Sequence, residues 1–263
     1  MMKFILSDYF AVDLGDGTFD GVIVDNPYKG CMKGKLGERE FSIDAMMRKM
    51  DRETKHDSFL INFANEKNIF DLRLFAKDAG WNYATMIIWN KRNARAPPSW
   101  NRPLHHTEFV LFFTKGDFRF NFQNGIKGEP YRRSKMGCRL VDSKPNNKTF
   151  SLGVFDEIVE FPVPNRKGKH PYMKPPQFSD LFHQILCGQK YDPKTGTPLP
   201  PRPEPKVLDP CCGSGSLLRA FPDSVGVDIE DWGIVDGETI TWHEGFSSQP
   251  ADARGSPHQT SLF

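Results

Sequence analysis

The chain has 263 residues, 38% of them hydrophobic and 26% charged, with a formal net charge of +2 at pH 7. That is enough apolar material for one α/β core with elaborations, and too little net charge to mark a nucleic-acid binder by itself. No apolar run is long enough to span a bilayer, and Met1-Met2-Lys3-Phe4-Ile5-Leu6 meets Ser7-Asp8 too soon for a secretory leader. Five cysteines show neither a Cys-x-x-Cys pair nor zinc-finger spacing. They read as reduced thiols of a cytoplasmic protein without a metal.

In chain order, Phe4-Ile5-Leu6 reads as a short buried strand that stops at Asp8. Asp20-Gly21 precedes a second strand, Val22-Ile23-Val24. A helix is expected over 40–50, where Phe41, Ala45 and Met46 form an apolar stripe. A strand follows at 58–63. Phe70, Leu74 and Phe75 mark the next helix, which ends near Gly80. Residues 85–89 and 109–113 are further strands, and 176–186 is a helix with proline in its first turn. Val207-Leu208 and Val225-Gly226-Val227 supply the last two strands. This alternation predicts an α/β fold: a doubly wound, largely parallel, Rossmann-like sheet with helices on both faces.

Residues 1–243 are expected to form a single domain. Three segments break its rhythm: 117–169, rich in Phe, Asn, Lys and Arg; 188–205, a linker or surface loop with six prolines; and 244–263, a polar, flexible tail.

Charge is unevenly spread. Residues 91–174 hold 17 Lys and Arg against 7 Asp and Glu, a net +10, which leaves −8 on the remainder. A basic block on an acidic chain is the footprint of a polyanion-binding face, a solvated loop being the plain alternative. Within it, Lys91, Arg92, Arg95 and Arg102 lie among Trp and Asn, side chains suited to phosphate and base-edge contacts. Arg132, Arg133 and Lys135 follow in the aperiodic segment. His105-His106 lacks further ligands at suitable spacing, so no metal is expected there.

Two strand ends carry the chemistry. Asp209-Pro210-Cys211-Cys212-Gly213-Ser214-Gly215-Ser216 follows Val207-Leu208, where a strand should pass into a helix. Glycines let the backbone approach a nucleotide-like ligand at the carboxyl end of an open sheet. The dinucleotide fingerprint fails, because Leu218 stands at its third glycine, and this disfavours a nicotinamide oxidoreductase. Asp228 ends the next strand, where a carboxylate can accept both hydroxyls of a ribose; a turn cap is the alternative. The second strand end is Asp25-Asn26-Pro27-Tyr28, which follows Val22-Ile23-Val24. Taken alone it is an ordinary Asx-Pro turn.

Together these strings resemble the S-adenosylmethionine-dependent DNA amino-methyltransferases of the N6-adenine and N4-cytosine type, in the circularly permuted order in which the catalytic half comes first. The cofactor motif of that family usually has an aromatic residue where Cys211 or Cys212 stands and Thr where Ser216 stands. The catalytic motif usually has proline at Asn26. His170-Pro171-Tyr172-Met173-Lys174-Pro175 matches a further motif. The resemblance implies that Asp8, Lys174, Asp209, Pro210, Gly213, Ser214, Gly215, Ser216 and Asp228 form the S-adenosylmethionine pocket. It implies that Asp25 and the Asn26 carbonyl accept the two N–H bonds of an exocyclic amine, with Pro27 stiffening the turn and Tyr28 stacking on a base flipped from duplex DNA. Asp and Tyr in that motif lean toward adenine N6. The same resemblance makes 117–169 the target-recognition region, and the protein a bacterial or phage-encoded enzyme of a restriction-modification type. An N4-cytosine enzyme, an RNA enzyme and a catalytically idle DNA-binding protein remain alternatives. At the tail, Gln259-Thr260-Ser261-Leu262-Phe263 resembles the Gln-x-x-Leu-Phe peptide that binds bacterial sliding clamps through Gln259, Leu262 and Phe263.

Overall fold

The computed structural model describes residues 2–27, 41–93, 106–126, 152–164 and 173–232, and the backbone of short strands at 132–133, 139–140 and 238–240. Its centre is a nine-stranded sheet in the order β10 (Ile158–Glu160), β4 (Asn82–Asn90), β5 (Thr107–Lys115), β3 (Thr54–Ala64), β2 (Phe19–Val24), β11 (Val207–Asp209), β12 (Ser224–Asp228), β1 (Lys3–Leu6) and β13 (Glu238–Ile240). Every neighbouring pair is parallel except the two made by β5, which runs against β3 and β4. Two small antiparallel pairs lie outside it: β6 (Gln123–Ile126) with β9 (Leu152–Val154), and β7 (Arg132–Arg133) with β8 (Arg139–Leu140).

Helices cover both faces, as the alternation of elements requires. On one face α1 (Ile43–Glu53) and α2 (Ile69–Asp78) bury Met46, Met47, Met50, Leu72 and Ala76 against Val22, Val24 and Leu60. On the other, α3 (Gln177–Cys187) buries Phe178, Phe182 and Ile185 against Ile23, Ile61 and Phe112. The alternating inward residues of β2 and β3 therefore feed two separate cores, which is why those strands read as continuous apolar runs. A buried charge group ties the turn after β1 to α1: Glu53 accepts from Tyr9 Oη at 2.6 Å and pairs with Lys49, which also donates to the Val12 carbonyl.

Several expectations need correction. The first helix begins at Ile43 because Ser42 caps it, its Oγ accepting from Ala45 N at 3.2 Å. Phe70 and Leu74 face solvent, 77% and 55% exposed; α2 turns Leu72 and Ala76 inward instead. Of the three residues that mark this helix in the sequence, Phe75 packs against the core. After Gly215 the chain does not form the expected helix. It passes through i→i+3 turns, Leu218 N to Gly215 O and Phe221 N to Leu218 O, before Pro222 removes the next donor. The Ser179 hydroxyl of α3 takes the Ala220 N–H meanwhile. The segment 117–169, read as lacking strong periodicity, supplies five short strands, one of them the sheet edge β10. The proline-rich segment is docked. Gln123 exchanges two hydrogen bonds with the Tyr191 backbone, and Lys206 N and Asp20 N bond reciprocally toward each other's residue.

The connectivity places the site. From β11 the chain leads to β12 on one side, and from β2 it leads to β3 on the other. The two strands are adjacent, so their carboxyl ends flank a switch point, where an open parallel sheet leaves a crevice. No helix among the described residues is long and apolar enough to cross a membrane.

Candidate active site

Four adjacent strands each end in an aspartate. Asp8 follows β1, Asp228 closes β12, Asp209 closes β11 and Asp25 follows β2. Parallel register brings these ends together: Leu6 pairs with Asp228, Asp209 with Gly226, and Leu208 with Val22. The carboxylates sense one another. Burial first, then the Asp25 and Asp228 charges, push the Asp209 carboxyl well above its usual range, against a backbone N–H from Cys211 that favours ionisation. Burial and the same acidic surroundings keep the Cys211 and Cys212 thiols protonated, which removes the thiolate a redox pair would need.

The glycine turn is built by the strand beside it. Gly213 and Gly215 adopt φ of 51° and 70°, conformations that favour glycine. Asp228 accepts from Gly213 N at 2.8 Å with one oxygen and from Glu230 N at 3.0 Å with the other. Cys212 N donates to the Val227 carbonyl, and the Cys212 side chain sits where a Cβ on Gly226 would come within 2.9 Å of it. Two buried polar atoms of this turn, Asp209 Oδ2 and Ser214 Oγ, have no hydrogen-bond partner. Buried polar atoms ordinarily have one. Orphaned acceptors, a bare backbone turn and four converging carboxylates fit a ligand that brings hydrogen-bond donors and positive charge. Asp8 also caps the short turn Tyr9–Ala11, accepting from Phe10 N at 3.0 Å.

The other strand end is held by a lysine. Lys174 is buried, 6% exposed, and its Nζ lies 3.0 Å from Asp25 Oδ2 and 2.7 Å from Glu108 Oε2. Burial alone would lower its pKa, but the two carboxylates outweigh that and hold the ammonium above the usual lysine range. Glu108 is half-buried, which would raise its pKa, yet Lys174 and Lys91 keep its carboxyl below the usual range. The result is a chain of alternating charge, Lys91–Glu108–Lys174–Asp25, backed by Phe63 and Trp89 at 4.9 and 5.6 Å from the ammonium. Asp25 sits at its open end with 16% of its side chain accessible. Asn26 beside it is buried, its Nδ2 donating to the Pro27 carbonyl at 3.3 Å.

Lys174, expected in the cofactor pocket, thus lies against the Asp25 turn at the end of β2. Glu108 has no role among the sequence-based expectations, although its position just before the apolar core of β5 is noticeable; nothing local reveals that it faces Lys174. Lys91 and Arg92, expected on the nucleic-acid face, are engaged by Glu108 and Glu160. Arg132 and Arg133 lie on the β7–β8 pair. Tyr28, Arg95, Arg102, Lys135, Gln259, Leu262 and Phe263 fall outside the described residues.

Comparison with known proteins gives this arrangement a setting. The structure is similar to M1.HpyAVI in complex with SAM, with a TM-score of 0.55 at 18% identity over 88% of this chain and 94% of that one. It is similar to M1.HpyAVI alone at the same TM-score, with 17% identity over 88% and 93%. A third likeness is to TTHA0409 of Thermus thermophilus, with a TM-score of 0.50 and 14% identity over 88% and 89%. At these identities the likenesses establish the fold, and none of the curated protein sequences compared with the chain matches it. The profile of the N6/N4 DNA methylases matches residues 19–231, from the first residue of β2 past Asp228, and the chain therefore belongs to that family of S-adenosylmethionine-dependent DNA amino-methyltransferases.

Proposed function

We propose that this protein methylates the N6 amine of adenine in a specific duplex DNA sequence, acting on a base flipped out of the helix. The observation that carries the proposal is Asp25, accessible at the end of β2 beside the glycine turn and oriented from behind by Lys174. An exocyclic amine is a poor nucleophile because its lone pair is delocalised into the ring. The Asp25 carboxylate and the Asn26 carbonyl would each accept one of its N–H bonds, drawing the nitrogen toward tetrahedral geometry and freeing the lone pair. The glycine turn, Asp209 and Asp228 would hold S-adenosylmethionine, which supplies an electrophilic methyl on a sulfonium centre. Its positive charges suit the acidic strand ends. Flipping costs a few kcal/mol, offset by contacts inside the site. The basic stretch 91–174 would track the phosphates, and 117–169 would read the sequence. The terminal Gln259-to-Phe263 peptide would dock on a sliding clamp; deleting it should abolish clamp capture and leave methylation of short duplexes intact.

The test is nucleoside mass spectrometry of unmethylated DNA incubated with the protein and S-adenosylmethionine. N6-methyladenine is the expected product. N4-methylcytosine would keep the mechanism and correct the base, and no methylated base would reject the proposal for DNA.

The acidic pocket carries a cost that a variant should expose. An acid whose pKa is raised on folding loses stability as pH rises from its unfolded value toward its folded one. Asp209 is such a group. Asp209→Asn should therefore be more stable than the parent at pH 7, each unit by which folding raises the acid's pKa being worth about 1.4 kcal/mol. The gap should close below about pH 4, where both forms are neutral. Urea denaturation at the two pH values measures it. S-adenosylmethionine affinity, by calorimetry, should fall at least about tenfold, because the amide replaces the unpartnered Asp209 Oδ2 that the ligand would meet.

A further inference from the structure

A second cluster of ligating side chains lies apart from the active-site residues. His183 and Cys187 are four residues apart on α3, so they share one face of the helix. Glu204, from the proline-rich segment, reaches over to them. Its two oxygens both lie 3.0 Å from His183 Nε2, and Oε2 lies 3.8 Å from Cys187 Sγ. The three ligating atoms fall within 4.8 Å of one another, the one such group of three among the described residues.

From these positions we propose that His183, Cys187 and Glu204 form a site for a zinc-like divalent transition metal, which pins the proline-rich segment to α3. The donor set is imidazole nitrogen, thiolate and carboxylate, the mixture that zinc accepts. Ordinary zinc bond lengths in a tetrahedron separate nitrogen from oxygen by about 3.3 Å and sulfur from oxygen by about 3.5 Å. The observed 3.0 and 3.8 Å each differ from those values by about 0.3 Å, and all three ligating atoms lie within 4.8 Å of one another, so side-chain rotations can complete the site. The supports are stiff. The His183 ring packs on Phe221 at 5.6 Å, and Glu204 is flanked by Pro203 and Pro205, whose fixed φ limits its backbone. Three protein ligands leave a fourth position for water.

No spacing rule reveals this site, because Glu204 lies 17 residues beyond Cys187 and on another segment. Its placement has a consequence for the methylase fold. Glu204 stands three residues before Val207, the start of β11, whose far end carries the glycine turn. A metal bridging Glu204 to α3 would fix the approach to that strand. A thiol gives up its proton when it ligates a metal, so affinity should rise with pH.

Cobalt(II) is the probe, because its bond to a thiolate absorbs in the near ultraviolet and its tetrahedral complexes are coloured. Titrated at pH 8 into the full-length protein, cobalt should give a thiolate-to-metal band saturating at one equivalent. Zinc should displace it and raise the melting temperature. Cys187→Ser should lose the band, and Glu204→Gln, at an exposed carboxylate, should weaken cobalt binding at least tenfold. Both variants should melt near the parent when no metal is added. A band that survives in Cys187→Ser belongs to another cysteine and overturns the proposal, as does the absence of any band at stoichiometric cobalt.

Discussion

Asp25→Ala should lower the methylation rate by about 10³-fold, within the range expected when a positioned acid–base group is removed, and leave S-adenosylmethionine affinity nearly unchanged. The two effects separate because Asp25 closes β2, whereas the glycine turn belongs to β11 and is braced by Asp228 of the next strand. The fold should tolerate the change. Lys174 would keep Glu108 at 2.7 Å, and the loss of one ion pair would be partly offset by relief of repulsion on Asp209. Asp25→Asn retains one carbonyl acceptor without the charge and should fall between the parent and the alanine variant. Single-turnover transfer of labelled methyl groups to duplex DNA, with calorimetry for the cofactor, measures both quantities. An Asp25→Ala enzyme of parental rate would show that the amine is activated elsewhere, and a large loss of cofactor binding would move Asp25 into the cofactor pocket.

What the sequence revealed follows from how far each signal reaches along the chain. Strand ends such as Val24-Asp25 and Leu208-Asp209 are local events: an apolar run stops at a carboxylate, and the stop is visible. Their adjacency across the sheet is not local, since β2 and β11 are separated by most of the chain, and only the family resemblance brought them together. Helix faces were half legible. Of the expected stripe Met46 faced inward, but Ala45 is exposed and Phe41 precedes the helix, and on α2 the apolar residues Phe70 and Leu74 stayed outside. The ion-pair chain was the least legible part. Lys91, Glu108, Lys174 and Asp25 come from four segments, and burial, not sequence spacing, makes their partnership obligatory. The same holds for reading Lys91 as a phosphate contact: a lysine in a basic stretch looks solvent-facing until its half-buried carboxylate partner is known.

Lys174→Met tests that chain where it is most exposed to failure. Methionine is unbranched and close to lysine in length, and its thioether can take the place of the ammonium over the Phe63 and Trp89 rings, so packing should survive while the charge is lost. Two half-buried carboxylates would then face the space left by the ammonium, Glu108 keeping Lys91 and Asp25 losing Lys174. Breaking one partner out of a buried ion pair costs about 3 kcal/mol or more, because the remaining charge is left uncompensated. The pH dependence gives the sign. Glu108 has a pKa depressed on folding, so it contributes stability above its unfolded pKa that is lost as pH falls through the folded value. Removing Lys174 takes away much of that contribution, so the deficit should be full at pH 7 and shrink below about pH 4 as the carboxyls protonate. Urea denaturation at both values measures it. If ionised Asp25 is the acceptor for the amine, the acid limb of the methylation rate should also move to higher pH, because the cation that favours its charge is gone. A deficit equal at both pH values would mean that lost packing, not lost charge, explains it. An unmoved acid limb would detach Lys174 from the chemistry and leave it a purely structural tie between α3's approach segment and β5.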